Sequence, residues 1–144
     1  MPQAMPNHPD PQLAWALLLA AGVVVASLVP LGAARSQADF TLTDLEAPRA
    51  MFERLPAWGK RANWAHQNSF EAFTLFAPAC LLTLVSGVHG TVSGGLALAW
   101  PLLRGAYIAA YVANQAALRS LCWAGATVCT GVLYVEGLKA VLAS

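Results

Sequence analysis

The sequence predicts an all-α protein, an integral membrane bundle of four helices. Composition is the first reason, because 58% of the 144 residues are hydrophobic and only 10% are charged, against about 25% charged residues in a typical soluble domain. The second reason is that the apolar residues form four long stretches with few charges. The third is that only one connection between these stretches is long and polar. A chain of this length forms a single domain.

The first apolar stretch, residues 13–34, carries no charge and exceeds the roughly 20 residues that a span requires. Residues 1–11 before it contain four prolines and no Lys or Arg, so we expect an irregular leader followed by one domain at residues 12–144. A signal peptide would have a positive start and an apolar run of about 7–15 residues. We therefore expect a retained helix, kinked in its last third by Pro30.

The charged residues gather at residues 35–60, which form the predicted first loop. Further spans are predicted at residues 61–86, 92–114 and 117–142, with "GVHGT" as the turn between the second and third. Lys and Arg concentrate around the first loop and in the third connection, and Lys139 is the exception. The positive-inside rule then predicts that loops one and three are cytoplasmic and that both termini lie outside.

The second span begins with an unexpectedly polar segment, "RANWAHQNSFEAF" at residues 61–73. At about 100° per residue, four of its side chains share one face of the helix within roughly 80°. These are Arg61, Trp64, Asn68 and Glu71, and His66 lies nearly opposite. Charged groups inside a span usually face the bundle interior and serve a function.

The third span carries a matching stripe of Arg104, Tyr107, Tyr111 and Gln115. Glu71 and Arg104 each lie ten residues from the cytoplasmic end, a depth of about 15 Å. The sequence thus predicts one polar layer built from two helices, with Glu71 level with Arg104. Two interpretations stay open: the layer binds a ligand, or a Glu–Arg pair only fixes the helix register.

Other kinds of site are not indicated. The three cysteines have no metal-ligand spacing and are interpreted as small buried hydrophobes, so no metal site is predicted. A net charge of +1, with no basic patch outside one loop, argues against nucleic acid as a partner. The stripes suit an anionic, polar small molecule, because arginine matches carboxylates.

The segment "RANWAHQNSFEAFTLF" resembles the second-helix pattern of the MAPEG family, the membrane-associated proteins in eicosanoid and glutathione metabolism, and suggests a bacterial-type member. "RGAYIAAYVANQAALRS" at the third helix supports the resemblance, which covers residues 12–142. The resemblance implies a homotrimer of four-helix bundles that binds glutathione between subunits on the cytoplasmic half.

The resemblance also assigns roles to residues. Asn68 and Glu71 match the family's glutathione-contacting asparagine and glutamate, and Arg104 and Arg119 are the candidate catalytic cations. The remaining candidates for glutathione binding are Arg35, Arg61, His66, Tyr107 and Tyr111. One position departs from the pattern of the catalytic members, since Trp64 stands where they place an arginine. Arg61, one turn earlier, is the candidate to replace that charge.

Two functions therefore remain. The first is a glutathione-dependent membrane transferase or peroxidase, in which a glutathione thiolate attacks a lipophilic electrophile that arrives from membrane lipid. The second is a non-catalytic membrane protein of the same fold that binds a lipid or a partner protein. A small transporter fits less well, because the sequence shows no inverted repeat.

Overall fold

The computed structural model describes residues 9–143, and every regular element in this range is helical. The predicted all-α fold is confirmed. Most of the predicted leader lies outside the described residues, and helix α1 begins at Pro11. Asp10 caps α1, since its side chain accepts a hydrogen bond of 2.9 Å from the Gln12 amide and Pro11 fills a position that needs no amide donor.

The first span consists of two helices, α1 (Pro11–Ala26) and α2 (Leu28–Ser36), with Ser27 between them. Pro30 explains the break, because a proline lacks an amide proton and its ring clashes with the carbonyl four residues earlier. That carbonyl belongs to Ala26, the last residue of α1.

The first loop contains two short 3-10 helices, Leu42–Leu45 and Pro48–Arg54. Asp44 holds them together. One carboxylate oxygen accepts a hydrogen bond of 2.5 Å from Arg54 Nη2, and the other accepts one of 2.8 Å from the Thr41 amide. The hydrogen bond from Arg54 and then that from the Thr41 amide lower the pKa of Asp44 below its ordinary value of 3.8.

The other three spans are α3 (Ala57–Val85), α4 (Thr91–Val112) and α5 (Ala116–Ala143). Helix α3 begins four residues before its predicted start, immediately after Pro56. The end of the bundle that carries Ser36, Ala57, Val112 and Ala116 is called the loop end below.

Both tight connections end a helix with the same hydrogen-bond pattern. After α4, Asn114 adopts a positive φ of 61°, its amide bonds the Tyr111 carbonyl at 3.1 Å, and the Gln115 amide bonds the Ala110 carbonyl at 2.8 Å. Gly87 does the same after α3, with a φ of 68°. This is the Schellman arrangement, which satisfies the free carbonyls of a helix end and turns the chain sharply.

The helices approach one another closely through small residues and stacked rings. A Cβ added at Gly59 would lie 2.5 Å from the Ala34 side chain, so the Ala34 methyl group packs directly on the backbone of α3 at the loop end. In the bundle interior, Phe76 of α3 stacks on Trp100 of α4 with 4.3 Å between ring centroids. Helix α4 packs against α1, α3 and α5.

The outer faces are strongly apolar. Many large hydrophobic side chains are exposed along the four spans, among them Trp15, Leu18, Leu102, Val128 and Leu142. Apolar surface of this extent requires lipid or a neighbouring subunit to cover it. In length and composition, all four spans qualify as membrane-crossing helices. The structure therefore fits an integral, multi-pass membrane protein.

Candidate functional site

Arg104 of α4 is the buried cation of the polar layer, with only 1% of its surface exposed. Its Nη2 donates to Asn68 Oδ1 at 3.1 Å and to Ser69 Oγ at 3.0 Å, both on α3. Ser69 in turn donates its hydroxyl proton to the Ala65 carbonyl at 2.7 Å. The structure thus joins α4 to the polar stripe of α3 through Arg104 and Asn68, whereas the sequence placed Glu71 level with Arg104.

Two other donors of Arg104, Nε and Nη1, are buried and have no hydrogen-bond partner among the described residues. The guanidinium carbon lies 4.0 Å from the centre of the Tyr107 ring and 5.9 Å from that of Trp100. Aromatic faces attract a cation but do not satisfy its N–H groups. Buried donors without partners are costly, so Arg104 retains capacity for an anionic or acceptor group.

Glu71 does not pair with Arg104. Its residue is exposed, and the ion pairs of residues 9–143 do not include it. The matching depth of the two residues was therefore a poor guide to contact. Asn68 and Ser69, one turn closer to the loop end, accept the hydrogen bonds of the guanidinium. Glu71 and Arg104 both line the same cavity without forming an ion pair.

A second cation, Arg119, packs on Tyr111, whose ring contacts the Tyr107 ring next to Arg104. The guanidinium carbon of Arg119, on α5, lies 4.6 Å from the centre of the Tyr111 ring. Tyr111 meets Tyr107 edge to face at 5.5 Å between ring centroids. The turn at Asn114 reverses the chain and so returns Arg119 to Tyr111. Arg104 and Arg119 are thus placed by aromatic rings rather than by carboxylates.

Three adjoining cavities lie beside these arginine and tyrosine side chains, and Asn68 lines all of them. A cavity of about 250 Å³ lies between α3, α4 and α5 and includes Glu71, Arg104 and Trp123. One of about 490 Å³ includes Tyr107, Tyr111 and Arg119. The third, of about 380 Å³, is lined by Trp64, Gln67, Asn68, Glu71 and Tyr111. Together they form the Asn68 groove.

The Asn68 groove contains most of the predicted site residues: Asn68, Glu71, Arg104, Tyr107, Tyr111 and Arg119. Three others lie elsewhere in the chain. Arg61 donates from Nε to the Val112 carbonyl at 3.2 Å, where a cation suits the C-terminus of α4. Arg61 lines none of the three cavities of the groove. Arg35 lines a separate pocket at the loop end.

His66 contacts the break in the first span instead of the groove. Its Nδ1 lies 2.7 Å from Ser27 Oγ, and Ser27 Oγ donates to the Val24 carbonyl at 2.5 Å. A hydroxyl has one proton, so His66 Nδ1 carries the proton that it donates to Ser27. His66 thereby ties α3 to the junction of α1 and α2, in keeping with its position opposite the polar stripe.

Sequence reasoning missed Ser69 and Trp123. Ser69 directly follows Asn68 in the chain. Its side chain is rotated away from the predicted polar stripe of α3 but still faces α4, because the buried side of α3 is wider than that stripe. Trp123 resembles an interfacial aromatic in the sequence, but it lines two of the three cavities. Among residues 9–143, no group of three His, Cys, Asp or Glu side chains is placed to hold a metal ion.

Comparison with known proteins identifies the chain's relatives at the level of a family. The model of the MAPEG family matches residues 12–139, nearly the whole chain. Searches of curated proteins and of solved structures gave no match. The matched range reaches into all four spans and includes every residue of the Asn68 groove. The chain therefore belongs to the MAPEG family.

Proposed function

We propose that the protein is a glutathione-dependent membrane transferase or peroxidase that acts on lipophilic electrophiles. The observation that carries the proposal is Arg104, a buried guanidinium with two unpartnered N–H donors beside the Asn68 groove. Membership of a glutathione-associated membrane family supports it.

The groove offers complementary groups for glutathione, which has two carboxylates, an ammonium and two amides. Glu71 is exposed and forms no ion pair within residues 9–143, so it is available to the ammonium. Arg119 is half-buried on the wall of the largest of the three groove cavities and suits a carboxylate. Asn68 accepts from Arg104 through Oδ1, which leaves its NH₂ group free to donate to a ligand carbonyl.

Catalysis would begin with ionisation of the glutathione thiol. A guanidinium next to a thiol stabilises the thiolate, which is the nucleophilic form, and the proton leaves through the open groove to water. Arg104 and Arg119 are the candidate cations. Since Asn68 and Ser69 hold only Nη2 of Arg104, its Nε and Nη1 are free to donate to sulfur. For an aryl halide, a sulfur–carbon bond then forms and halide leaves.

The second substrate would enter from lipid. The cavity between α3, α4 and α5 is lined in part by Ala72, Leu75, Trp100 and Trp123, and Leu75 and Trp123 are exposed on its outer face. Such a lining favours an apolar electrophile held next to the thiolate, where positioning itself accelerates the reaction. We also propose that three copies assemble, with the loop end cytoplasmic.

Purified protein in detergent provides the test. We expect saturable glutathione binding and conjugation to an activated aryl chloride. Glu71→Ala should weaken glutathione binding, and Arg119→Ala should lower turnover about 10²-fold. Lys139→Ala is the matched control, because Lys139 pairs with Glu136 at the opposite end of α5, and it should change neither quantity.

The competing function, a non-catalytic member of the same fold, is favoured by Trp64. Its indole packs on Phe52 at 5.7 Å between ring centroids, and the cavity that it lines together with Asn68 has no Lys or Arg in its lining. Absence of both glutathione binding and turnover in the unaltered protein would select this second function.

A further inference from the structure

A separate pocket of about 290 Å³ lies at the loop end, between the end of α2, the second 3-10 helix and the start of α3. Arg35 and Arg49 bring two positive charges to it, and Asn63 and Gln67 bring two amide groups. Phe52 and Trp64 form an aromatic wall. None of the lining residues is acidic.

Both arginines lack a carboxylate partner. The ion pairs of residues 9–143 join Arg54 to Asp44, Lys60 to Glu53 and Lys139 to Glu136. Glu46 lines an adjoining pocket with Arg35 and Arg49 but forms no ion pair with either. Two guanidinium groups without a counter-charge in one concave pocket offer several N–H donors to an anion, and arginine suits phosphate in particular.

The surroundings of the pocket indicate a lipid surface. The first loop exposes Phe40, Leu42 and Leu45, with exposed fractions of 51%, 81% and 64%. Large apolar side chains on a polar loop are unfavourable in water but favourable at the boundary of headgroups and acyl chains. On α2, Val29 is also 71% exposed, six residues before Arg35 on the same helix. The arginines therefore lie where headgroup phosphates are found.

We propose that Arg35 and Arg49 form a phosphate-binding site at the loop end, distinct from the Asn68 groove, and that its ligand is an anionic membrane lipid. Phosphate oxygens accept from the two guanidinium groups, and Asn63 and Gln67 donate to the remaining headgroup oxygens. A soluble organic phosphate presents the same chemistry, and the exposed Phe40, Leu42 and Leu45 favour the lipid.

The proposal does not rest on the glutathione activity. Trp64 and Gln67 line both this pocket and the Asn68 groove, so the two sites are neighbours. Arg49 has no part in the groove, and Arg35 lines none of its three cavities. Removing the Arg49 guanidinium should consequently change phosphate binding and leave glutathione binding intact.

Native mass spectrometry of the full chain in detergent, with equal amounts of phosphatidylglycerol and phosphatidylcholine added, measures the preference directly. We expect preferential retention of phosphatidylglycerol. Arg35→Gln and Arg49→Gln should each reduce that preference about tenfold. Lys60→Gln is the matched control, because it removes one positive charge at the same end from a side chain that already pairs with Glu53.

Glycerol 3-phosphate, titrated in the same detergent, separates the two sources of phosphate. Weak binding of glycerol 3-phosphate beside strong lipid retention supports the lipid, whereas binding as tight as that of the lipid overturns it in favour of a soluble phosphate. Equal losses in Lys60→Gln and Arg49→Gln would indicate unspecific charge attraction and overturn the site. The phosphate site would also be overturned if Arg35→Gln kept the lipid preference unchanged but lost glutathione binding, since Arg35 would then belong to the groove.

Discussion

Arg104 combines nearly complete burial with incomplete hydrogen bonding, and this combination favours a ligand site over a register-fixing contact. A purely structural arginine would have its donors satisfied, because each buried donor without a partner costs about 1–3 kcal/mol. Asn68 and Ser69 satisfy one nitrogen of the guanidinium and leave two without partners. The residue thus gives up stability that a bound anion would restore.

Replacement of Arg104 tests this directly. We expect Arg104→Met to lower conjugation turnover by about 10²-fold or more, because a preorganised cation is lost. The melting temperature should stay equal or rise, since a buried charge with unpartnered donors gives way to an apolar side chain. Arg104→Lys should retain part of the activity. Turnover and ultraviolet thiolate absorbance of bound glutathione are the measurements, and unchanged turnover in Arg104→Met would reduce Arg104 to a structural residue.

At the scale of elements, the sequence predicts where helices lie better than which side chains meet. The long apolar runs determine four spans, and Pro30 marks the interruption of the first one. The pairing of Glu71 with Arg104 could not be read from depth, because contact also depends on the rotation of each helix about its axis. Ser69 shows the same limit: its neighbour Asn68 was identified, but only the packing of α3 on α4 shows that both face Arg104.

The first loop gains its structure from Asp44, so its order should depend on pH. The folded pKa of Asp44 lies below its ordinary value of 3.8, so the carboxylate stabilises the loop fully above that value. This stabilisation is lost as the pH falls through the lower, folded pKa. Asp44→Asn should remove most of it at neutral pH, seen as faster amide hydrogen exchange at residues 41–54. Glu53→Gln, the exposed-pair control, should exchange as the unaltered protein does, and slow exchange in Asp44→Asn would contradict this role.

For the whole molecule, the single chain leaves the Asn68 groove open and much apolar surface uncovered. Trp64, Leu75 and Trp123, which line its cavities, are all between 44% and 62% exposed. Lipid can cover the outer faces of the spans, but it cannot satisfy polar groups such as Glu71. A neighbouring copy of the chain would cover this apolar surface and could supply partners for such polar groups.

We accordingly expect the protein in mild detergent to have the mass of three chains. Sedimentation with correction for bound detergent measures this. Phe70→Glu, an added charge on the exposed side of α3, should shift the mass toward one chain and lower glutathione binding in parallel. Val141→Glu, at the far end of α5, should leave the mass unchanged. A single-chain mass for the unaltered, active protein would show that one copy forms the site alone.

The connection between α4 and α5 has a consequence for the rotational register of the site. Residues 113–115 are the whole of it, and its turn depends on the positive φ of Asn114. One residue inserted between this turn and Arg119 would rotate that side chain by about 100° around α5, away from Tyr111 and out of the groove. The place of the Arg119 cation, on which the proposed thiol chemistry depends, is therefore set by the length of a turn as much as by the residues of the groove.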